Sequence, residues 1–292
     1  MSTSPLFAPT MPGADPQPRT PAVKFPPGAT DCHAHVFGPQ TQFPYPLNPN
    51  YVPPDATTDD YVRMLRTIGC DRAVLVQPSV YRTDNRCMLD AMRSGKFAFR
   101  GVAVIGDETS DADLKDMHAA GVRGVRLNLA SKGAASGTDA ALRVAQRIAP
   151  LGWHIQFFLN IAHVPEIAPL VPRLPLNVVI DHFALVPAEQ GVAGAGFQTL
   201  LRMAKQPNCW FKLIGPYRIS QQPPQFANVT PLARALFAAA PNRCVWGTDW
   251  PHPNTGHIPN DGDLADMVPD WLPDAAARQS VLVDNPARLY DF

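Results

Sequence analysis

Eight short apolar runs, each followed by a longer stretch with helical spacing, constrain this 292-residue chain more than any other feature. They cover residues 29–35, 73–77, 99–105, 122–129, 154–159, 177–183, 209–215 and 244–250. The runs are rich in Val and Ile and nearly continuous rather than alternating, which is the pattern of strands buried on both faces of a parallel sheet. Between them, segments at 58–68, 84–94, 111–120 and 138–149 carry helix punctuation. Thr58, Asp84, Ser110 and Thr138 read as N-caps, Gly69, Gly95 and Gly121 as C-caps, and Pro150 as a stop. Segments near 164–170, 196–205, 230–239 and 274–283 are similarly placed with weaker boundaries. Eight strand–helix units predict a closed α/β fold, the (β/α)8 TIM barrel. An open doubly wound sheet is the alternative, but no Gly-x-Gly-x-x-Gly follows the first strand to support it.

Residues 1–27 carry eight prolines and little apolar periodicity, so they read as an extended or disordered arm ahead of a single barrel domain over 28–292. A formal net charge of zero with no basic run argues against a nucleic-acid or membrane-surface partner. With no bilayer-length apolar run and no basic, then apolar, start, the expectation is a soluble cytoplasmic protein. Cys32, Cys70, Cys87, Cys209 and Cys244 are odd in number and lack a Cys-x-x-Cys pair, which predicts reduced, buried thiols. The oligomeric state stays open.

Active sites of this barrel lie at the C-terminal ends of its strands, and the polar residues fall there. His33 and His35 close the first run, Ser79 follows the second, Arg126 and Asn128 close the fourth. His182 closes the sixth, Arg218 follows the seventh and Asp249 closes the eighth. On an extended strand, side chains i and i+2 share a face, so His33 and His35 project together, as a metal-ligand pair or as hydrogen-bond donors for an oxyanion. Singly, an aspartate here caps a turn and an arginine pairs with a surface carboxylate; gathered in one layer they predict a polar pocket. The long segments 36–55 and 250–263 read as walls or lids over that pocket. His118, His154, His163 and His257 read as structural or solvated, and His252 as a rim residue.

Taken together, Thr30-Asp31-Cys32-His33-Ala34-His35, Asp181-His182-Phe183 and Trp246-Gly247-Thr248-Asp249-Trp250-Pro251-His252 resemble the amidohydrolase superfamily, within it the branch containing 2-pyrone-4,6-dicarboxylate lactonase. Gln77-Pro78-Ser79, Arg123-Gly124-Val125-Arg126-Leu127-Asn128, Trp210-Phe211-Lys212 and Asn285-Pro286-Ala287-Arg288-Leu289-Tyr290 extend the resemblance along the chain. It implies a hydrolase that opens the lactone of a small carboxylated substrate, in aromatic or sugar-acid catabolism. Asp249 would be the general base, His33, His35 and His182 would stabilise the oxyanion, either as hydrogen-bond donors or through a bound divalent metal, and Ser79, Arg126, Arg218 and Lys132 would bind the carboxylate.

The chain also departs from that pattern: Phe158 and Leu185 stand where the resemblance implies a tyrosine and an arginine, and Lys132 aligns loosely with an arginine. A site without a required metal is the leading expectation. The alternative is one zinc or manganese ion on His33, His35 and Asp249, with His182 in support. A metal-dependent decarboxylase and a non-catalytic binding barrel are the competing functions.

Overall fold

The computed structural model describes residues 10–49, 51–130 and 137–292. Eight parallel strands pair in sequence order: β1 (Thr30–Ala34), β2 (Arg72–Val76), β3 (Ala98–Ala103), β4 (Val122–Asn128), β5 (His154–Phe158), β6 (Val178–Ile180), β7 (Cys209–Leu213) and β8 (Cys244–Trp246). A bridge between Ala34 and Trp250, with His35 N–H on the Trp250 carbonyl at 2.7 Å and Asp249 N–H on the His33 carbonyl at 2.8 Å, brings the last strand back to the first. The result is the TIM barrel.

The helices α1 (Thr58–Ile68), α2 (Arg86–Arg93), α3 (Asp111–Ala119), α4 (Gly137–Ile148), α5 (Ile167–Leu170), α6 (Ala195–Met203), α7 (Thr230–Ala239) and α8 (Asp261–Asp266) lie between and after the strands. Ser110 caps α3 as expected, through a reciprocal capping box with Asp113. At α1 the cap is Thr57, not Thr58, because Asp60 sits three residues after Thr57 and closes the same box. Asp84 does not cap α2; its carboxylate accepts from Arg86 N–H and the helix starts two residues later than the sequence suggested.

Strand alternation divides the core. On β7, Trp210 points into the barrel with Cys32, Val74, Val76, Val102, Val179, Val245 and Tyr290, whereas Cys209, Phe211 and Leu213 join the larger sheet–helix layer. The inner cluster fills the lower barrel and leaves the upper end to polar groups. One irregularity sets those groups: between Asp31 and Ala34 the β1–β2 register shifts. A bulge re-aims side chains, and here Cys32 enters the barrel core while His33 and His35 both reach its mouth, ring centroids 5.0 Å apart.

Residues 10–27 run along the barrel, where Arg19 pairs with Asp263 and Asp266 of α8 and Phe25 packs edge-on against Trp246 at 5.2 Å. All five cysteines are free and buried. No helix among the described residues is long and apolar enough to cross a membrane.

Candidate active site

A cavity of about 100 Å³ opens at the C-terminal ends of the strands, lined by His35, Tyr51, Ser79, Arg126, Phe158, His182, Arg218, Asp249 and Asn254 among others. Tyr51 comes from the first long loop and Asn254 from the second, so both loops contribute walls. A larger groove of about 500 Å³ at the opposite end, around Trp153, Pro175 and Pro207, has no titratable residue in its lining and offers no chemistry.

Asp249 is the focus. Its Oδ2 accepts from the Tyr217 hydroxyl at 2.6 Å, Arg218 Nε at 2.7 Å and Arg218 Nη2 at 2.6 Å. Its Oδ1, though fully buried, accepts no hydrogen bond among the described residues. Facing that bare oxygen are three imidazole nitrogens: Nε2 of His33 at 3.6 Å, of His35 at 3.6 Å and of His182 at 3.9 Å. Burial alone would raise this carboxyl; the Arg218 charge and the surrounding imidazoles outweigh it and hold Asp249 well below the usual carboxylate range. Burial also pushes the histidines down, His182 to about 3, so near neutral pH the site is an ionised aspartate among neutral imidazoles.

Each ring has its own orientation. His35 Nδ1 lies 2.7 Å from the Val76 carbonyl, which only accepts, so Nδ1 carries the proton and Nε2 presents a lone pair. A neutral His35 therefore cannot donate to an oxyanion, and of the two roles expected for it the bare Nε2 suits that of a metal ligand. His182 is aimed by backbone strain: His182, Phe183, Ala184 and Leu185 have φ of 47°, 52°, 50° and 52°, a left-handed turn directly after β6. Each such residue costs ~1–2 kcal/mol, and strain of this kind collects where geometry serves function. Leu185, on that turn, packs against the core and is absent from the cavity lining, whereas Phe158 lines it.

The floor holds two charged groups absent from the predicted set. Lys212, fully buried on β7, places Nζ 3.2 Å from His33 Nδ1 and 3.7 Å from Asp181 Oδ1. Asp181 Oδ2 accepts from Arg126 Nε at 3.1 Å and Gln156 Nε2 at 2.9 Å. Burial lowers the Lys212 ammonium to about 8, while the charges of Lys212 and Arg126 overcome burial and keep Asp181 ionised. The signal was present: a lysine between Phe211 and Leu213 in an apolar strand is too costly to bury without partners.

Of the predicted substrate contacts, Ser79, Arg126 and Arg218 line the cavity. Arg126 bonds protein only through Nε among the described residues, and its guanidinium lies 4.7 Å from the Phe158 ring. Arg218 is committed differently, to Asp249 and the Pro253 carbonyl. Lys132 lies outside the described residues. The ligand atoms of His33, His182 and Asp249 lie within 4.8 Å of one another, a set suited to a divalent metal. The expected grouping was His33, His35 and Asp249 with His182 in support; here His182 stands among the three and His35 does not. The orphaned His33 Nε2 and Asp249 Oδ1 are the donors such an ion takes up, so the residues fit one.

The amidohydrolase family profile matches residues 30–292. The chain is 39% identical over 284 residues to a 2-pyrone-4,6-dicarboxylate hydrolase of Comamonas testosteroni, covering 94% of this chain and 93% of that one. It is 37% identical over 270 residues to a 4-sulfomuconolactone hydrolase of Hydrogenophaga intermedia, with 91% and 89% covered. The crystal structure of a putative 2-pyrone-4,6-dicarboxylic acid hydrolase from Pseudomonas putida superposes with a TM-score of 0.79 at 34% identity, over 90% of this chain and 97% of that one. With the family profile matching nearly the whole barrel and relatives this similar over most of both chains, the chain belongs to the amidohydrolase family.

Proposed function

We propose that this protein hydrolyses a small lactone bearing an anionic group, with Asp249 as general base. The observation that carries the reading is the asymmetry of Asp249: one oxygen saturated by Tyr217 and Arg218, the other bare at the cavity. Asp249 Oδ1 and the His35 Nε2 lone pair, 3.6 Å apart, are two acceptors facing one space, which suits a water that donates to both. As the water oxygen bonds the lactone carbonyl carbon, its proton passes to Oδ1. The tetrahedral adduct then expels the ring oxygen, and Asp249 returns the proton to it, leaving a hydroxy acid and the ionised aspartate. A carboxyl held this low is a modest base but stays ionised across the working pH range, and once protonated it is a ready acid for the leaving oxygen.

The anion of the substrate falls to Arg126, whose terminal nitrogens have no protein partner among the described residues, with Ser79 and Tyr51 on the same wall. The named relatives act on lactones carrying carboxylate or sulfonate, in keeping with this anchor. If a zinc or manganese ion is resident, His33, His182 and Asp249 would hold it, and it would supply Lewis-acid polarisation of the carbonyl.

The test is a panel of lactones with carboxylate, sulfonate or no anion, followed by ring opening, on protein whose metal content is measured before and after chelation. Ring opening of the anionic members supports the reading. Carbon dioxide release without ring opening would assign the chain to the decarboxylases instead, and binding without turnover would make it a binding barrel.

A further inference from the structure

Behind Asp249 runs a buried chain of polar groups that the catalytic steps do not use. Tyr217 donates its hydroxyl proton to Asp249 Oδ2 at 2.6 Å, and the Tyr217 hydroxyl oxygen lies 3.1 Å from His252 Nδ1. His252 Nε2 in turn lies 3.2 Å from Asp261 Oδ1. His252 and Asp261 are fully buried, and Tyr217 is 7% exposed. By hydrogen-bond geometry neither His252 Nε2 nor the Asp261 carboxylate has a partner among the described residues, so the 3.2 Å approach of the two is the contact each has. Hydrogen-bond arithmetic orders the chain. A phenol has one proton, and Tyr217 gives it to Asp249, so the Tyr217 oxygen can only accept from His252, which must carry its proton on Nδ1. His252 Nε2 and Asp261 Oδ1 then need one proton between them to sit 3.2 Å apart. The backbone supports this arrangement: His252 N–H bonds the Asp249 carbonyl at 2.7 Å, and both residues have positive φ, 61° and 66°.

We propose that Asp261, His252 and Tyr217 are positioning residues that select the reacting oxygen of Asp249. By ordering the Tyr217 hydroxyl they keep Oδ2 saturated alongside Arg218, so the carboxylate cannot turn about its Cβ–Cγ bond and Oδ1 alone meets the water. Asp261 opens α8, the helix gripped from outside by Arg19, so the arm braces the far end of the chain. This inference rests on Asp249 being the base, and its test is built to separate the two.

Tyr217→Phe deletes only the hydroxyl and should lower kcat about 10- to 100-fold with KM changed by less than about threefold, because substrate contacts stay in place. His252→Phe should do the same, while His252→Asn, which keeps a donor at the Nδ1 position and tolerates positive φ, should recover most of the loss. Asp261→Asn keeps a donor for His252 Nε2 and should likewise outperform Asp261→Leu by about tenfold. A readout independent of turnover is the nitrogen-15 spectrum of the histidines. In the wild type one buried ring, assigned to His252 by its loss in His252→Asn, should show a protected Nδ1–H signal that moves in Tyr217→Phe. An Nδ1 without a proton, wild-type kcat in Tyr217→Phe, or equal loss in Asp261→Asn and Asp261→Leu when both are folded overturns the proposal. If the wild type opens no lactone, the hydrolase reading falls, and the Nδ1–H signal and its response to Tyr217→Phe decide the chain by themselves.

Discussion

Two aspartates, Asp31 and Asp249, are each fully buried within the same seam between β1 and the end of β8, and they are treated in opposite ways. Asp31 is saturated: its Oδ1 accepts from the backbone of His33 at 3.1 Å and Thr248 at 2.9 Å, its Oδ2 from Thr248 Oγ1 at 2.6 Å and Tyr61 at 3.0 Å. Every donor is neutral, and burial pushes its carboxyl up to about 6. Asp249 has a cation on one oxygen and, among the described residues, no hydrogen-bond donor on the other, and its carboxyl is held down. A carboxylate with all its acceptor sites filled by neutral donors fastens strands; one with a charge-paired oxygen and a bare one is prepared for chemistry. The two are joined by Thr248, so the seam that closes the barrel also places the base. Gly247 belongs to the same seam: a Cβ there would lie 2.7 Å from His33 N and 2.8 Å from Asp31 Oδ1.

The largest effect that could break the contrast is at Asp249. Asp249→Asn fills the same volume but cannot take a proton from water, so turnover should fall by about 10³-fold or more, with a lower Tm because Arg218 loses its buried partner, while Asp31→Asn, if folded, keeps most of its turnover. Steady-state kinetics and thermal melts of both variants decide it; equal kinetic losses would mean that the two carboxylates are not divided as described.

The next is the pH dependence of Asp31. Because its folded value of about 6 stands above the ordinary 3.8, the folded chain holds a proton there that the unfolded chain has released. Its contribution is therefore fully present below about 4 and is lost as pH rises through about 6, at most about 3 kcal/mol. The wild-type stability minus that of Asp31→Asn, from urea melts between pH 4 and 7, should fall across this window; a flat or rising difference contradicts the assignment.

Smaller is the effect of Arg126→Met, which should raise KM for an anionic lactone by about 10-fold or more through loss of a charge-assisted contact, with a lesser change in kcat. An unchanged KM places the anion elsewhere. Smallest is Tyr61→Phe, which leaves Asp31 one donor short and should cost about 1 kcal/mol in chemical denaturation with kinetics intact. A kinetic loss in this variant would show that the structural end of the seam reaches the chemistry after all.

Much of the site could be read from local pattern. The polar residues closing the apolar runs at His33, His35, Arg126, His182 and Asp249 come together as their strand-end positions require, because the pleat and the parallel order allow few other placements. What local pattern missed was partnership. Arg218 reads as a substrate clamp, and the sequence does not show that its Nε and Nη2 also hold Asp249, 31 residues on. His252 reads as a rim histidine until Tyr217 and Asp261 enclose it. Lys212 was visible as an anomaly on β7, but its partner Asp181 lies on the neighbouring strand's end.

By itself the amino-acid sequence determined the barrel, since eight buried strands separated by helices have essentially one closed parallel solution, and it placed the titratable side chains at one end. Only the tertiary structure decided which nitrogen of His35 is bare, which oxygen of Asp249 is free and which side of the bulge His33 takes. The reason is physical: strand and helix periodicity is written in neighbours a few residues apart, whereas the state of a buried charge depends on partners such as Thr248 and Asp31, 217 residues apart, that meet only when the barrel closes.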